Sequence, residues 1–503
     1  MNLARSRISN PAGTAVDPVQ GGKVAIVDIG SNTVRLVVYD TPQRLPIPVF
    51  NEKALCELGR NLNSTGLLYP DGVAMAYQSL TRFISLCDAM GVDRLQLVAT
   101  SAVRDAKDGP EFVAEIEKRF GHEVQVLSGP DEAKLAAMGL LCGVPNADGL
   151  AGDLGGGSFD LVALNKGEFG EQASLPVGHL RLAEMARDGD IDSIVRRELA
   201  TLPWITAAKG RTLYALGGSC RALARVMIEQ TGHPLHVVDN FSIRATDARS
   251  LCRVIGGLHG NSLGKVKGVP RSRMETLPYA AKLFQALLAV VEPEFLVFSG
   301  FGMREGQLLK MLPDDFRAQD PLISGCKSMA ERTGRFHFQG TSLLEWMAPL
   351  FDGESADEKR LRWAACLLGD VGWSEHPDYR AEHAFHRVLR VPFAGLTHRE
   401  RVLLADAIYV RYNGEPESSL VEPLRSLLDA GQLSWVRVVG LALRLAHTIA
   451  GSAPGTLSKT ELRINGDKLI LKLPQDRDVY ISETVERRLR TLAASLGLEG
   501  EFG

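Results

Sequence analysis

Two stretches decide the reading: Val24-Ala-Ile-Val-Asp28-Ile-Gly30-Ser31-Asn32-Thr33 and Gly149-Leu-Ala-Gly-Asp153-Leu-Gly155-Gly156-Gly157-Ser158. In the first, the apolar run from Val24 to Val27 predicts a buried strand that breaks at Asp28, and residues 34–39 predict a second strand. The polar loop is then the tip of a hairpin. In the second, residues 159–164 again follow the loop as a strand, with a turn at Asn165-Lys-Gly167 and a further strand beyond it. The aspartates that open the two loops lie 125 residues apart (153 − 28). A repeat on that scale implies a duplicated βββαβα-like unit with a cleft between the copies.

The segments around the two loops extend that reading. Residues 70–90 and 110–120 carry helical periodicity, 95–99 and 124–127 read as strands, and a helix opens after Ser128-Gly-Pro-Asp-Glu132. A third glycine signal, Ala215-Leu-Gly217-Gly218-Ser219, stands between a strand and a helix. The second copy ends near 307–311, after a strand at 295–299 and the loop Gly300-Phe-Gly-Met-Arg304-Glu-Gly306.

Beyond about residue 315 the pattern turns helical, at 342–351, 359–368, 379–389, 399–411, 419–430 and 435–449. Residues 461–464 and 468–473 then read as two strands about an Asn465-Gly466 turn, with a helix over 483–495 closing the chain. The expected organisation is a flexible tail (1–22), lobe I (23–135), lobe II (136–312), a helical domain (313–450) and a small α+β domain (451–503). The class is α/β, with a duplicated body.

Composition narrows the function classes. The 503 residues are 45% hydrophobic and 23% charged, with a formal net charge of −3. That is an ordinary folded composition and no global attractor for nucleic acid or membrane, so a polyanionic ligand needs a local basic surface. Seven scattered cysteines with no CxxC spacing point to a reducing, cytoplasmic setting. The first 22 residues lack the apolar core of a signal peptide, and no run of about 18 apolar residues predicts a membrane span.

The loops carry the chemistry. Glycines at a strand end let several backbone N–H groups converge on one anion, and Ser31, Asn32, Thr33 and Ser158 add side-chain donors. One such loop is equally a plain hairpin turn; two in equivalent places of a repeat point to phosphate. Asp28 and Asp153 beside phosphate donors would repel it unless a hard cation lies between them. Asp160 points the same way along its strand as Ser158, so Asp153 and Asp160 could share a Mg²⁺; the plain alternative is a solvated strand residue. Arg104 in Thr100-Ser-Ala-Val-Arg104 could clamp phosphate or lie on the surface. Asp131 suits a helix start, whereas Glu132, if it faces the cleft, could deprotonate a water for attack on phosphorus.

Together these motifs resemble the exopolyphosphatase / guanosine pentaphosphate phosphohydrolase family, within the actin, heat-shock-chaperone and sugar-kinase superfamily. The matching pieces are Val27-Asp28-Ile-Gly-Ser-Asn-Thr33, Ala99-Thr-Ser-Ala-Val-Arg104, Leu127-Ser-Gly-Pro-Asp-Glu132, Gly152-Asp-Leu-Gly-Gly-Gly-Ser158, Ala215-Leu-Gly-Gly218 and Gly302-Met-Arg-Glu-Gly306. The resemblance implies an actin-like (ribonuclease H-like) two-lobed body with an interlobe cleft. It places the catalytic glutamate at Glu132 and phosphate contacts at Asp28 to Thr33, Arg104 and Asp153 to Ser158, and it implies a dependence on Mg²⁺; Gly217 and Gly218 are further substrate-binding candidates. The chain departs from the family pattern in having Asp at 108, 131 and 160.

Residues 315–450 resemble the HD-like domain of the family's long members, but Gly369 precedes Asp370 where a working metal site needs His. A platform for polyanion or for a homodimer is expected there, with Arg360, Arg362, Arg387 and Arg390 as candidate contacts. The implied substrate is inorganic polyphosphate. The rivals are guanosine pentaphosphate (with guanosine tetraphosphate as its product), an actin-like ATPase, and a non-catalytic polyphosphate or nucleotide sensor.

Overall fold

The computed structural model describes residues 22–40, 44–45, 47–186, 190–258, 260–333, 340–415, 417–453, 455–475 and 480–503. The expected tail, except Gly22, lies outside them. The chain divides into two compact units, residues 1–319 and 320–503.

The first unit is built on two sheets. In one, β1 (Lys23–Ile29), β2 (Thr33–Tyr39), β3 (Pro48–Leu55), β4 (Val92–Ala99) and β5 (Val124–Val126) lie in the order β3-β2-β1-β4-β5. In the other, β6 (Gly149–Leu154), β7 (Phe159–Asn165), β8 (Glu168–Leu175), β9 (Thr212–Leu216), β10 (Phe241–Arg244) and β11 (Phe295–Phe298) lie in the order β10-β11-β9-β6-β7-β8. Apart from β10 the second order repeats the first, and in each copy the antiparallel hairpin precedes parallel strands. This is the duplicated body that the repeat of loops implied, and the actin-like one that the resemblance implied. Strand β3 had no sequence signal, because only alternate side chains on it are partly buried.

Both faces of each sheet are covered, so their strands are apolar almost throughout. On the first sheet, Ala25 and Val27 face α1 (Pro70–Ala89), with Leu80 and Phe83, while Val24 and Ile26 face the opposite way. On the second, Leu150 and Leu213 join the outer core with α6 (Gly218–Thr231) and α7 (Leu277–Val291). Between these outer helices in the chain come α2 (Ser101–Asp105), α3 (Gly109–Phe120), α4 (Gly129–Gly143) and α5 (His179–Met185); α8 (Met303–Met311) follows α7.

Helix α4 holds the inner faces together: its Leu135 joins the core of the first sheet, and Ala133, Ala137 and Leu140 join that of the second. A boundary at 135/136 therefore falls inside one continuous helix. Helices α4 and α8 pack backbone to backbone. A Cβ at Gly139 would come within 1.9 Å of the Gly302 carbonyl oxygen, and one at Gly306 within 1.9 Å of that of Leu135.

The second unit is helical, with α9 (Pro321–Thr333), α10 (Ala356–Leu368), α11 (Arg380–Arg390), α12 (His398–Arg411), α13 (Ala430–Ala450) and α14 (Glu483–Ser495). Within the expected helix at 419–430, only Glu422–Arg425 is α-helical before Asp429 caps α13. Helix α14 does not close the chain. Strand β14 (Glu499–Phe502) follows it and lies parallel to β13 (Lys468–Lys472), which pairs with β12 (Glu461–Asn465). Helix α13 is long and apolar enough to cross a membrane, but 56% of its most apolar window is buried inside the unit.

Three of the four arginines expected to meet polyanion are used internally. Arg360 donates to Asp320 and the Gly395 carbonyl oxygen, Arg362 to Glu354 and the Leu344 carbonyl oxygen, and Arg387 to the Val371 carbonyl oxygen. Arg390 is exposed. Asp370 lies 3.6 Å from Arg411 and 3.7 Å from His447, and a Cβ at Gly369 would come within 2.6 Å of His447 Nε2. The space a histidine at 369 would need is filled.

Candidate active site

A cavity of about 170 Å³ opens where the three glycine loops meet. Its wall includes Asp28, Gly30, Ser31, Asn32 and Thr33 from the β1–β2 hairpin, Asp153, Gly155 and Gly156 from the β6–β7 hairpin, Gly217 and Gly218 before α6, and Glu132 from α4. The two hairpin tips touch: Ser31 Oγ lies 3.0 Å from Ser101 Oγ, and a Cβ at Gly157 would meet both hydroxyls, at 3.2 and 2.7 Å. The β6–β7 loop is held from behind, since the backbone N–H groups of Gly178, His179 and Leu180 donate to the carbonyl oxygens of Gly157, Gly155 and Gly156.

Not every expected residue reaches the cavity. Ser158 is buried and donates to Asp160 Oδ2 at 3.1 Å, so its hydroxyl is turned away. Gly157 lies behind Ser31 and Ser101. Asp160 sits opposite Asp153 in the β6–β7 register, yet it is 3% exposed and its Oδ1 has no hydrogen-bond partner. Burial, with Glu132 next, holds its carboxyl well above the usual range. It is neither a solvated strand residue nor a second cavity-facing ligand. Arg104 also stays off the cavity wall: its Nη1 donates to Glu132 Oε2 and to the Leu127 carbonyl oxygen, both at 2.9 Å.

Glu132 is placed by the start of α4. Ser128 caps the helix by accepting from the Asp131 N–H at 3.2 Å, which leaves the Asp131 side chain exposed and Glu132 turned inward. The Glu132 side chain is 12% exposed. Burial lifts its pKa from 4.5 to about 7 against the pull of Arg104, with Asp153 and Asp28 adding to the rise. A carboxylate so poised is half deprotonated near neutrality, the condition a general base needs.

Sequence reading had not singled out the cavity's cations: Arg35, Arg221, Arg273 and Arg304. Arg35 was legible in retrospect, being paired with Asp28 in the β1–β2 register. Arg221 and Arg304 follow glycine loops that were noted. Arg273 carries no local signal. Burial, then Arg304 and Arg221, lowers the pKa of Arg35 to about 10. The four give a chain of net charge −3 a local concentration of positive charge at this cavity.

Asp28 and Asp153 also face the cavity and accept no hydrogen bond among the described residues. Burial raises both, Asp153 to about 6, and each adds to the charge that the other meets or that Glu132 feels. Among the described residues no group of three or more His, Cys, Asp or Glu could hold a metal ion. Two unpartnered carboxylates facing one cavity nevertheless fit Mg²⁺, which commonly takes one or two carboxylates and completes its shell with water and substrate phosphates. The fitting pair is Asp28 and Asp153, not Asp153 and Asp160.

The profile of the Ppx/GppA phosphatase family matches residues 37–315, and that of the exopolyphosphatase C-terminal region matches 332–502. Retrograde regulation protein 2 of Saccharomyces cerevisiae is 28% identical over 448 residues, 80% of this chain and 75% of that one. Exopolyphosphatase 1 of Mycobacterium tuberculosis is 25% identical over 319 residues, 58% of this chain and 89% of that one. The crystal structure of an exopolyphosphatase from Cytophaga hutchinsonii superposes with a TM-score of 0.52 at 22% identity, over 57% of this chain and 97% of that one, a likeness of fold. With more than half of its length matched, the chain belongs to the Ppx/GppA phosphatase family.

Proposed function

We infer that the chain hydrolyses the terminal phosphoanhydride of inorganic polyphosphate. The observation that carries this is a largely buried carboxylate, Glu132, held by an arginine and facing a cavity lined by phosphate-type loops and four further arginines. The terminal phosphate would lie on the N–H groups of the two hairpin tips and the hydroxyls of the β1–β2 tip, with Arg35, Arg221 and Arg304 offsetting its charge. Glu132 would accept a proton from water as the water oxygen bonds to phosphorus and the bridging P–O bond breaks, the leaving chain keeping the bridging oxygen. Arg104 orients the Glu132 carboxylate from behind. Asp28 and Asp153 would hold a hard divalent cation, whose charge would stabilise that building on the phosphate oxygens.

Guanosine pentaphosphate would be cut by the same chemistry. A second reading, a regulator that binds such chains without cutting them, draws on the likeness to Retrograde regulation protein 2 over 80% of the chain. The poised state of Glu132 favours turnover. The seven cysteines, all buried and free, suit a reducing cytoplasm; a homodimer is the expected assembly. Phosphate release from long-chain polyphosphate, guanosine pentaphosphate and ATP, measured side by side with Mg²⁺, tests the reading. Release from polyphosphate should be fastest, and no release from any of the three would leave the binding regulator.

A further inference from the structure

His179 opens α5 from an unusual position. Its backbone N–H donates to the Gly155 carbonyl oxygen, which straps it to the first loop of the second lobe. Its imidazole, 3% exposed, reaches across to the third glycine loop. There Nδ1 lies 3.2 Å from Ser219 Oγ and Nε2 lies 3.1 Å from Arg273 Nη1. An arginine only donates, so Nε2 is the acceptor, and Nδ1 carries the proton and donates to Ser219. The ring is therefore neutral, in keeping with a pKa pushed down to about 3 by burial and by Arg273.

The guanidinium it holds lies against the glycine loop. Gly217 adopts φ 97° at the start of α6, and a Cβ at Gly218 would come within 2.6 Å of Arg273 Nη2. Among the described residues Arg273 has no carboxylate partner. Its fixed contacts are His179 Nε2 and Ser219 Oγ, and Arg221 repels it. This choice of partner has a consequence. A carboxylate would fix the side chain but cancel its charge, whereas neutral acceptors fix it and leave the charge for a ligand. Glu132 enters the cavity wall from α4, whereas Arg273 enters it against the third glycine loop, at Gly218. Arg273 is thus supplied from a different part of the wall than the base, where the chain behind the attacked phosphate would run.

We propose that His179 is a positioning residue which holds Arg273 as a preset clamp on the phosphate next to the one attacked, setting affinity for phosphoanhydride chains rather than the rate of the chemical step. This rests on the phosphohydrolase reading of the cavity. It is a property of this chain's own residues at 179, 219 and 273.

The test uses inorganic tripolyphosphate, with binding by calorimetry and turnover by phosphate release, on the full chain and four variants: His179→Ala, His179→Gln, Arg273→Ala and the double variant His179→Ala/Arg273→Ala. Arg273→Ala and His179→Ala should each weaken binding about 10-fold, the scale of one charge-assisted hydrogen bond, and raise KM with kcat within about 3-fold. Gln places an acceptor where Nε2 stands, so His179→Gln should recover most of the affinity. The double variant should bind no worse than Arg273→Ala alone, because His179 acts only through Arg273. Wild-type affinity in folded His179→Ala, or losses that multiply in the double variant, would overturn the proposal. Should His179→Ala fail to fold, His179→Gln against His179→Asn decides, since Asn cannot reach Arg273 and must bind as weakly as Arg273→Ala. If the wild-type protein binds tripolyphosphate but releases no phosphate, the hydrolase reading falls, and the affinity series still decides the role of His179.

Discussion

Replacing Glu132 by Gln separates the chemistry of the site from its stability. Gln keeps the shape and an acceptor for Arg104 Nη1, now 2.9 Å from Glu132 Oε2, but cannot take a proton from water. Loss of a general base commonly costs about 10²–10⁴-fold in turnover, and tripolyphosphate affinity should stay within about 3-fold. Stability should move the other way. The native carboxyl, raised from 4.5 to about 7, holds a proton that the unfolded chain has released in that window. Stability contributed by Glu132 is therefore present at acid pH and lost as pH rises from 4.5 to about 7. A rise of that size corresponds to roughly 3 kcal/mol, which the neutral Gln does not forfeit. Glu132→Gln should melt several degrees above wild type at about pH 8 and level with it at about pH 4, each followed by circular dichroism. The wild-type rate should climb with pH through about 7 as the base deprotonates, and the residual rate of the variant should not. Near-normal turnover in a folded Glu132→Gln protein would refute the assignment of the base, and an equal melting gap at both pH values would refute its raised pKa.

Three further outcomes are expected. A Cβ at Gly156 would lie 3.0 Å from Ser31 Cβ and 3.1 Å from Leu180 Cδ1, so Gly156→Val should abolish tripolyphosphate binding and turnover together while circular dichroism stays native. Activity should vanish in excess chelator and return with Mg²⁺, and Asp153→Asn should raise the Mg²⁺ needed by about 10-fold or more; full activity in chelator would remove the cation from the scheme. The chain cut after Gln319 keeps every cavity residue, so it should still hydrolyse tripolyphosphate. On long chains it should lose affinity and processivity, giving a ladder of intermediates on gels and a shallower salt dependence; wild-type processivity on long chains would assign residues 320–503 another role.

What the sequence determined by itself was local or periodic. The paired loops at Asp28 and Asp153 announce the duplication because hairpin tips are encoded by a few adjacent residues, whose glycines and hydroxyls also name the chemistry. The start of α4 could be read because Ser128 caps and Asp131 complements the helix dipole within one turn, whereas whether Glu132 turns inward was settled only by the fold. Strand β3 escaped because a half-covered edge strand needs few apolar side chains. Asp160 misled, because period two places it on the face of Ser158 but cannot say that the hydroxyl of Ser158 would turn to it and close it off from the cavity. Arg104 was found but its target was not, since contact with Glu132 spans 28 residues. Arg273 and His179 are 94 residues apart, and nothing in either neighbourhood marks them. Which cations face the loops, and which carboxylates stay unpartnered, was decided only when the second sheet packed on α4 and brought the three glycine loops to one point, because charge and burial at a site are sums over residues that only tertiary contact makes neighbours.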